Sequence, residues 1–341
     1  MTTRPKPWVL PFGGCEFGGK RLAWSPSWAL APGLENADKS FAGGHTLKIV
    51  SIGEVLWDVI GDKEYLGGAA LNFAAHASRL GHTVYFVSAI GQDERGRRVL
   101  EQMEAIGLST RYVRQISAHP TGVVTVELNT AGVPNFTIHH PAAYDAPELT
   151  EGEIAELLSP APDWIYFGTL FQMSPQARQL TYRLIDSHCG ARLLYDVNLR
   201  KDSYTAPLVR ELMARGQVVK LNEEEATSID QMLGRTSDSL ENFCRNYARE
   251  FGWQSACVTR GEKGCAMLVD GKYVESPGYA VQARDTVGAG DAFAAAFIHG
   301  LSMKWPPAEI ADFANRVAAL VAGRPGGTPH WTIEEARALA R

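Results

Sequence analysis

Asp291 sits in a glycine turn that runs directly into an apolar, helix-forming stretch: Asp285-Thr286-Val287-Gly288-Ala289-Gly290-Asp291-Ala292-Phe293, followed by Ala294 to Ile298. Gly288 and Gly290 let the backbone turn tightly and approach a ligand closely. A helix beginning there leaves its first N–H groups without partners, and its dipole favours negative charge. Such a turn suits a phosphate. A carboxylate in the same place has two readings. It complements the helix dipole, or it takes the proton from an attacking hydroxyl. Local chemistry alone leaves the two balanced.

Other polar clusters follow apolar runs, where strands would end. In open α/β sheets, ligands bind outside the carboxyl ends of strands. Gly53-Glu54-Val55-Leu56-Trp57-Asp58 follows the first such run, which places Asp58 either against a polyhydroxyl ligand or as a plain loop carboxylate. Gly67-Gly68-Ala69-Ala70-Leu71-Asn72 is a Gly/Ala turn, with Asn72 as the cap of the next helix. Asp196, Asn198 and Arg200 alternate, so an extended chain would send them to one side, where a guanidinium grips phosphate or sugar oxygens. Lys220 leads into Asn222 and Glu225, which have the spacing of a capping box. That reading leaves room for Glu225 to touch a hydrated magnesium ion. Thr259-Arg260-Gly261-Glu262-Lys263-Gly264 is a hairpin turn or the wall of a nucleotide pocket, and Gly91-Gln92-Asp93-Glu94-Arg95-Gly96 is a turn with little meaning alone.

The elements that would position these groups alternate. Strands are expected at Thr46–Ile52, Thr83–Ile90, Trp164–Phe167, Leu193–Val197, Val218–Leu221, Ala256–Thr259 and Ala266–Val269. Helices are expected from Asn72 to Gly81, around Val99–Ile106, and near 174–188, 206–215 and 223–233. This predicts an α/β fold: a mostly parallel sheet flanked by helices on both faces. Thr121–Leu128, the turn Asn129-Thr130-Ala131-Gly132 and Asn135–His139 break the rhythm and predict a β-hairpin flap over the ligand. The expected organisation is an N-terminal extension over 1–46 that wraps on the surface or is partly disordered, with Trp8, Trp24 and Trp28 arguing that some of it packs, then a main domain over 47–335. A small β lid at 60–70 and 119–142 is inserted in that domain.

The chain has 341 residues, 45% hydrophobic and 21% charged, with a formal net charge of -5, as expected of a soluble globular protein. No basic run suggests nucleic acid, and no apolar stretch is long enough to suggest a membrane span. Cys15, Cys189, Cys244, Cys257 and Cys265 are scattered, so neither a disulfide framework nor a zinc site is expected, and a reducing cytoplasm fits. Residues 1–46 lack a signal-peptide pattern. Phosphate-binding P-loop, nucleophile-elbow and HExxH motifs are absent, and Gly53-Glu54-Val55 is not a dinucleotide fingerprint. His139-His140 reads as an exposed or partly packed flap pair rather than a metal site.

Gly67–Ala74, Gly91–Gly96, Asp196–Arg200, Asn222–Glu225, Thr259–Gly264 and above all Asp285–Phe293 occur in the order seen in the PfkB, or ribokinase-like, carbohydrate kinases. The resemblance covers roughly residues 47–330. It implies phosphoryl transfer from ATP to a sugar hydroxyl, with Asp291 as the base and Gly288, Ala289 and Gly290 as the anion hole. It also implies that Asn222 and Glu225 organise magnesium and phosphate. Thr259, Arg260, Gly261 and Gly264 would line the nucleotide site, with Lys220 beside the phosphates and Asn315 near the adenine. Asp58, Gly68, Asn72, Asn198 and Arg200 would face the sugar. Asp285 and Val287, with Val321–Gly327, resemble the potassium site of some members.

Gly-Glu-x-Leu-x-Asp, Asp-x-Asn-Leu-Arg and Ala142-Ala143-Tyr144-Asp145 look most like fructokinases, so fructose is the expected sugar. Phe167–Phe171 departs from that pattern. The alternatives are ribose or 2-keto-3-deoxygluconate as substrate, or a sugar-binding regulator without catalysis. Exposed hairpin edges seek partners, so the lid is expected to pair two subunits.

Overall fold

The computed structural model describes residues 46–128, 134–187 and 190–340. The expected extension, apart from Thr46, and the hairpin turn at 129–132 lie outside those residues. In chain order the strands are β1 (Lys48–Ile52), β2 (Leu56–Ile60), β3 (Lys63–Gly67), β4 (Thr83–Gly91), β5 (Val113–Ile116), β6 (Gly122–Leu128), β7 (Pro134–Ile138), β8 (Trp164–Gly168), β9 (Arg192–Asp196), β10 (Val218–Asn222), β11 (Ser255–Thr259), β12 (Cys265–Val269) and β13 (Lys272–Ser276). The helices are α1 (Ala69–Arg79), α2 (Glu94–Ala105), α3 (Glu151–Leu157), α4 (Pro175–Ser187), α5 (Ala206–Arg215), α6 (Glu223–Met232), α7 (Leu240–Phe251), α8 (Ala289–Ser302), α9 (Pro307–Ala322) and α10 (Ile333–Ala338).

Nine strands form one sheet in the order β13-β12-β11-β10-β9-β8-β1-β4-β5. From β11 to β5 all neighbours are parallel, while β12 and β13 close the far edge antiparallel. Each central strand is apolar on both sides, because successive side chains point to opposite faces and both faces are covered. Ile49, Leu194 and Val218 join the core under α1, α8 and α9. Their chain neighbours Val50, Leu193 and Val219 join the opposite core, under α4 to α7.

A second sheet of four strands, β3-β2-β6-β7, forms the lid. β2 pairs antiparallel with β3 and parallel with β6, which pairs antiparallel with β7. The lid thus includes Leu56–Ile60, upstream of the expected boundary at residue 60. Asp58 is on its inner strand β2 rather than in a loop. Trp57 is fully buried on the body side, with the Arg98 guanidinium 4.1 Å above its ring. No helix among the described residues is long and apolar enough to cross a membrane.

Candidate active site

The strand ends of β1, β9 and β10 and the N-termini of α1 and α8 converge. α8 begins after Gly288, whose φ of 78° is left-handed. A side chain there would be strained, and an added Cβ would collide with the Gly327 carbonyl. Asp291 is in the first turn of α8 and 8% exposed. Its Oδ2 accepts a 2.9 Å hydrogen bond from Asn72 Nδ2. Burial, reinforced by the nearby Asp196 charge, pushes the Asp291 carboxyl up to about 7, against the pull of Lys220, Asn72 and Arg200. A carboxylate that titrates there can take a proton near neutral pH. The Ala289 N–H donates to Thr286 O at 3.3 Å, a long bond.

Asn72 does not cap its helix. α1 starts at Ala69 with Gly68 as N-cap, and Asn72 lies inside the first turn. The cap comes from Glu54, whose Oε1 accepts from Ala69 N–H at 3.1 Å. Gly68 has φ 115°, and a Cβ there would strike the Glu54 carbonyl. With the cap supplied from elsewhere, Asn72 is free to reach Asp291. Its Oδ1 is buried with no hydrogen-bond partner among the described residues.

Lys220 and Asp196 are directly paired across β10 and β9. The ammonium donates to Asp196 Oδ1 at 3.0 Å and Oδ2 at 3.2 Å, and Tyr166 OH adds a 3.3 Å bond. Burial opposes the Lys220 charge, but Asp196, Glu225 and Asp291 together outweigh it and hold its pKa above the ordinary value. Its Nζ lies 3.1 Å from where a Gly290 Cβ would stand, so a fixed positive charge lies beneath the glycine turn. Asp196 stands in the sequence as one of three alternating polar residues, but its place against Lys220, and that of Glu54 at the start of α1, come from the fold. An acid and a base in successive apolar runs, Asp196 and Lys220, were the available signal, without the register that pairs them.

Asn222 and Glu225 form the expected capping box. Asn222 Oδ1 accepts from Glu225 N at 2.8 Å, and Glu225 Oε2 accepts from Asn222 N at 2.8 Å. Glu225 Oε1 also accepts from Leu199 N, which ties the β9 and β10 ends together. The extended run through Asn198 and Arg200 is not found. β9 ends at Asp196, Val197 is buried and Asn198 turns left-handed at φ 37°. The Arg200 guanidinium is nonetheless felt by Glu54, Asp58, Asp196 and Asp291. Burial pushes the Asp58 carboxyl up to about 6.

The remaining candidates are held by their own neighbours. Arg260 Nη1 donates to Glu275 at 2.9 Å. Gly261 and Gly264 have positive φ in the turn joining antiparallel β11 and β12, and Thr259 Oγ1 donates to Leu221 O at 3.4 Å. Asn315 is buried and donates to Ser276 O and Pro277 O, which pins the chain leaving β13. Asp285 accepts from Val287 N at 3.0 Å and Gly326 N at 3.1 Å, and so clasps the turn before α8 to the loop after α9. Val287 itself is 46% exposed. His139 and His140 are exposed, as expected.

A mostly parallel sheet whose strand ends gather a buried carboxyl that titrates near 7, a buried ammonium and a glycine-started helix is an α/β site suited to phosphoryl transfer. Residues 46–333 match the model of the pfkB family carbohydrate kinases, and the chain belongs to that family of phosphotransferases. Over 274 residues it is 28% identical to a fructokinase of Escherichia coli, covering 74% of this chain and 84% of that one. Over 282 residues it is 27% identical to an aminoimidazole riboside kinase of Salmonella typhimurium, covering 78% and 85%. The crystal structure of a fructokinase with bound ATP from Xylella fastidiosa superposes with a TM-score of 0.77 at 22% identity, covering 86% and 97%. The fold is therefore ribokinase-like.

Proposed function

We propose that this sugar kinase transfers the γ-phosphoryl group of ATP to a hydroxyl of fructose. The observation that carries the reading is Asp291, a buried carboxylate that titrates near 7 inside an anion-attracting helix start. The sugar hydroxyl gives its proton to Asp291 as its oxygen forms the bond to phosphorus, and the bond to the ADP oxygen breaks. Gly288 and Gly290 keep the helix start open to the transferring group, and Lys220 adds positive charge beneath it. Asn72 Oδ1, unpartnered beside Asp291, is an acceptor for a ligand hydroxyl. Asp58 and Arg200 make no side-chain hydrogen bond among the described residues and suit further ligand oxygens. The relatives at 28% and 27% identity carry different substrates in their names, so the case for fructose is the chain's own motifs.

Among the described residues no cluster of His, Cys, Asp and Glu is built to ligate a metal directly. Each Glu225 oxygen accepts one amide and retains a second lone pair, which fits contact with a hydrated magnesium ion arriving with the nucleotide. Magnesium would neutralise phosphate charge. A potassium ion beside Asp285 and the 321–327 loop is part of the same reading, and a potassium titration of kcat tests it. An ATP-consumption screen over fructose, ribose, 2-keto-3-deoxygluconate and nucleosides tests the substrate. Turnover confined to a sugar other than fructose would overturn the fructose assignment.

A further inference from the structure

α1 directs three polar side chains at one short segment beside the site. Asn72, His76 and Arg79 recur at the spacing of one helix face. Asn72 holds Asp291. Arg79 Nη2 donates to Thr328 O at 2.8 Å. His76 is fully buried between two partners, with Nε2 3.0 Å from Gly327 O and Nδ1 3.0 Å from Trp331 Nε1. An indole N–H only donates, so His76 Nδ1 must be the bare nitrogen. The proton of the neutral ring is then on Nε2, which donates to the Gly327 carbonyl. Burial, with Arg79 nearby, keeps the ring neutral.

The Gly327 peptide is wedged between two parts of the site. A Cβ on Gly327 would stand 3.0 Å from both polar atoms of the Asn72 amide. A Cβ on Gly288 would collide with the Gly327 carbonyl itself. The carbonyl that His76 holds therefore rests against Gly288, the cap of α8, whose first turn carries Asp291 to its bond with Asn72.

We propose that His76 is a positioning residue for phosphoryl transfer: locked as the Nε2–H tautomer by Trp331, it presses the Gly327 peptide onto Gly288 and so fixes the start of α8 and Asp291 against Asn72. The inference rests on the reading of Asp291 as the base. A purely structural role would change melting temperature and the folded fraction. A positioning role also changes the chemistry at each folded site, because misplacement of about 1 Å costs up to about a hundredfold in rate.

The test uses His76→Leu, His76→Gln and Trp331→Phe in the full chain, with active sites counted by ATP binding and kcat followed across the acid limb. His76→Leu is expected to lower kcat per folded site about tenfold or more, with KM for ATP and sugar within about twofold. Its acid limb is expected to move to lower pH. Water admitted beside Asp291 stabilises the charged form, while Asp196, Lys220 and Arg200 still face it. Gln places an amide nitrogen where Nε2 was, so His76→Gln should recover most of the rate. Trp331→Phe removes the donor that anchors the ring at Nδ1 and should lose part of it. Wild-type kcat per folded site and an unmoved acid limb in His76→Leu would overturn the proposal. If that variant does not fold, an unchanged kcat in Trp331→Phe overturns it instead. A fully active Asp291→Asn variant would remove the base assignment beneath it, a result distinct from either.

Discussion

Asp291 pits stability against chemistry. Folded, its carboxyl holds a proton up to about 7, whereas the ordinary value is 3.8. Between those values the folded chain binds more protons than the unfolded chain, so this group's contribution to stability falls as pH rises. The active form is the deprotonated one, so kcat should fall as pH drops through about 7. Asp291→Asn removes the buried charge. We expect it to raise Tm at pH above that window by about 2 °C or more. The same change should lower kcat at least about a hundredfold with ATP still bound. Calorimetry and steady-state kinetics on one preparation check both signs, and near-normal kcat would remove Asp291 as the base. Lys220 gives the opposite case. Lys220→Met leaves the buried Asp196 carboxylate without its ion-pair partner and with only the Tyr166 hydroxyl bonded to it, at a cost of about 3–5 kcal/mol. Asp196 already sits above the usual carboxylate range through burial. The loss should therefore be larger at alkaline than at acid pH, because an unpaired buried acid can be protonated only at the acid end. Urea unfolding at two pH values reads this directly.

Elements bring these residues together through glycine turns that tolerate no side chain. Gly288→Ala places a Cβ at left-handed φ and against the Gly327 carbonyl. A cost of about 1–3 kcal/mol is expected, together with a lower kcat as α8 shifts. Thermal melts and kinetics that match wild type would show that the tight start of α8 is dispensable. Most of these elements were legible from sequence, because the sheet is covered on both faces and its strands read as short apolar runs between helical periods. Val218–Leu221 and Ala206–Arg215 are such segments. Asp285–Phe293 carried its helix start in its glycines. The sequence misled where a residue's local role was taken over by a distant one. Asn72 has the composition of a cap, but Glu54 caps α1 from 15 residues away in the chain, which leaves Asn72 for Asp291. Asp196, Asn198 and Arg200 alternate as in a strand, but the strand stops at Asp196. The pairing of Asp196 with Lys220 depends on the register of two strands, which no local pattern encodes.

At the scale of the molecule, the lid has one anchored face and one open face. On the anchored side Trp57 is buried, and Glu64 pairs with Arg95 and Arg98 of α2. The open side follows from the pleat. Asp58 is paired with Tyr65, while Ile60 and Phe136 flank position 126 across β6. Side chains at directly paired positions share a face. Ile60, Tyr65 and Phe136 are 50%, 41% and 59% exposed, an apolar patch around the carboxylate proposed to hold the sugar. Scattered exposed apolar residues need no explanation, but a patch on one sheet face marks a surface that gets covered. A second copy of the lid offers the same apolar face, and a self-complementary patch is what a two-fold dimer requires. We therefore expect a homodimer through the lid, with a total buried area near or above about 1,200 Å². Phe136→Asp and Ile60→Asp should convert it to monomer in light scattering. They should also raise KM for the sugar more than KM for ATP, because Asp58 shares the uncovered face while the helix start at Asp291 does not depend on it. A wild-type chain that scatters as a monomer at micromolar concentration would leave the sugar alone to cover the patch. The same substitutions would then act on KM without any change of mass.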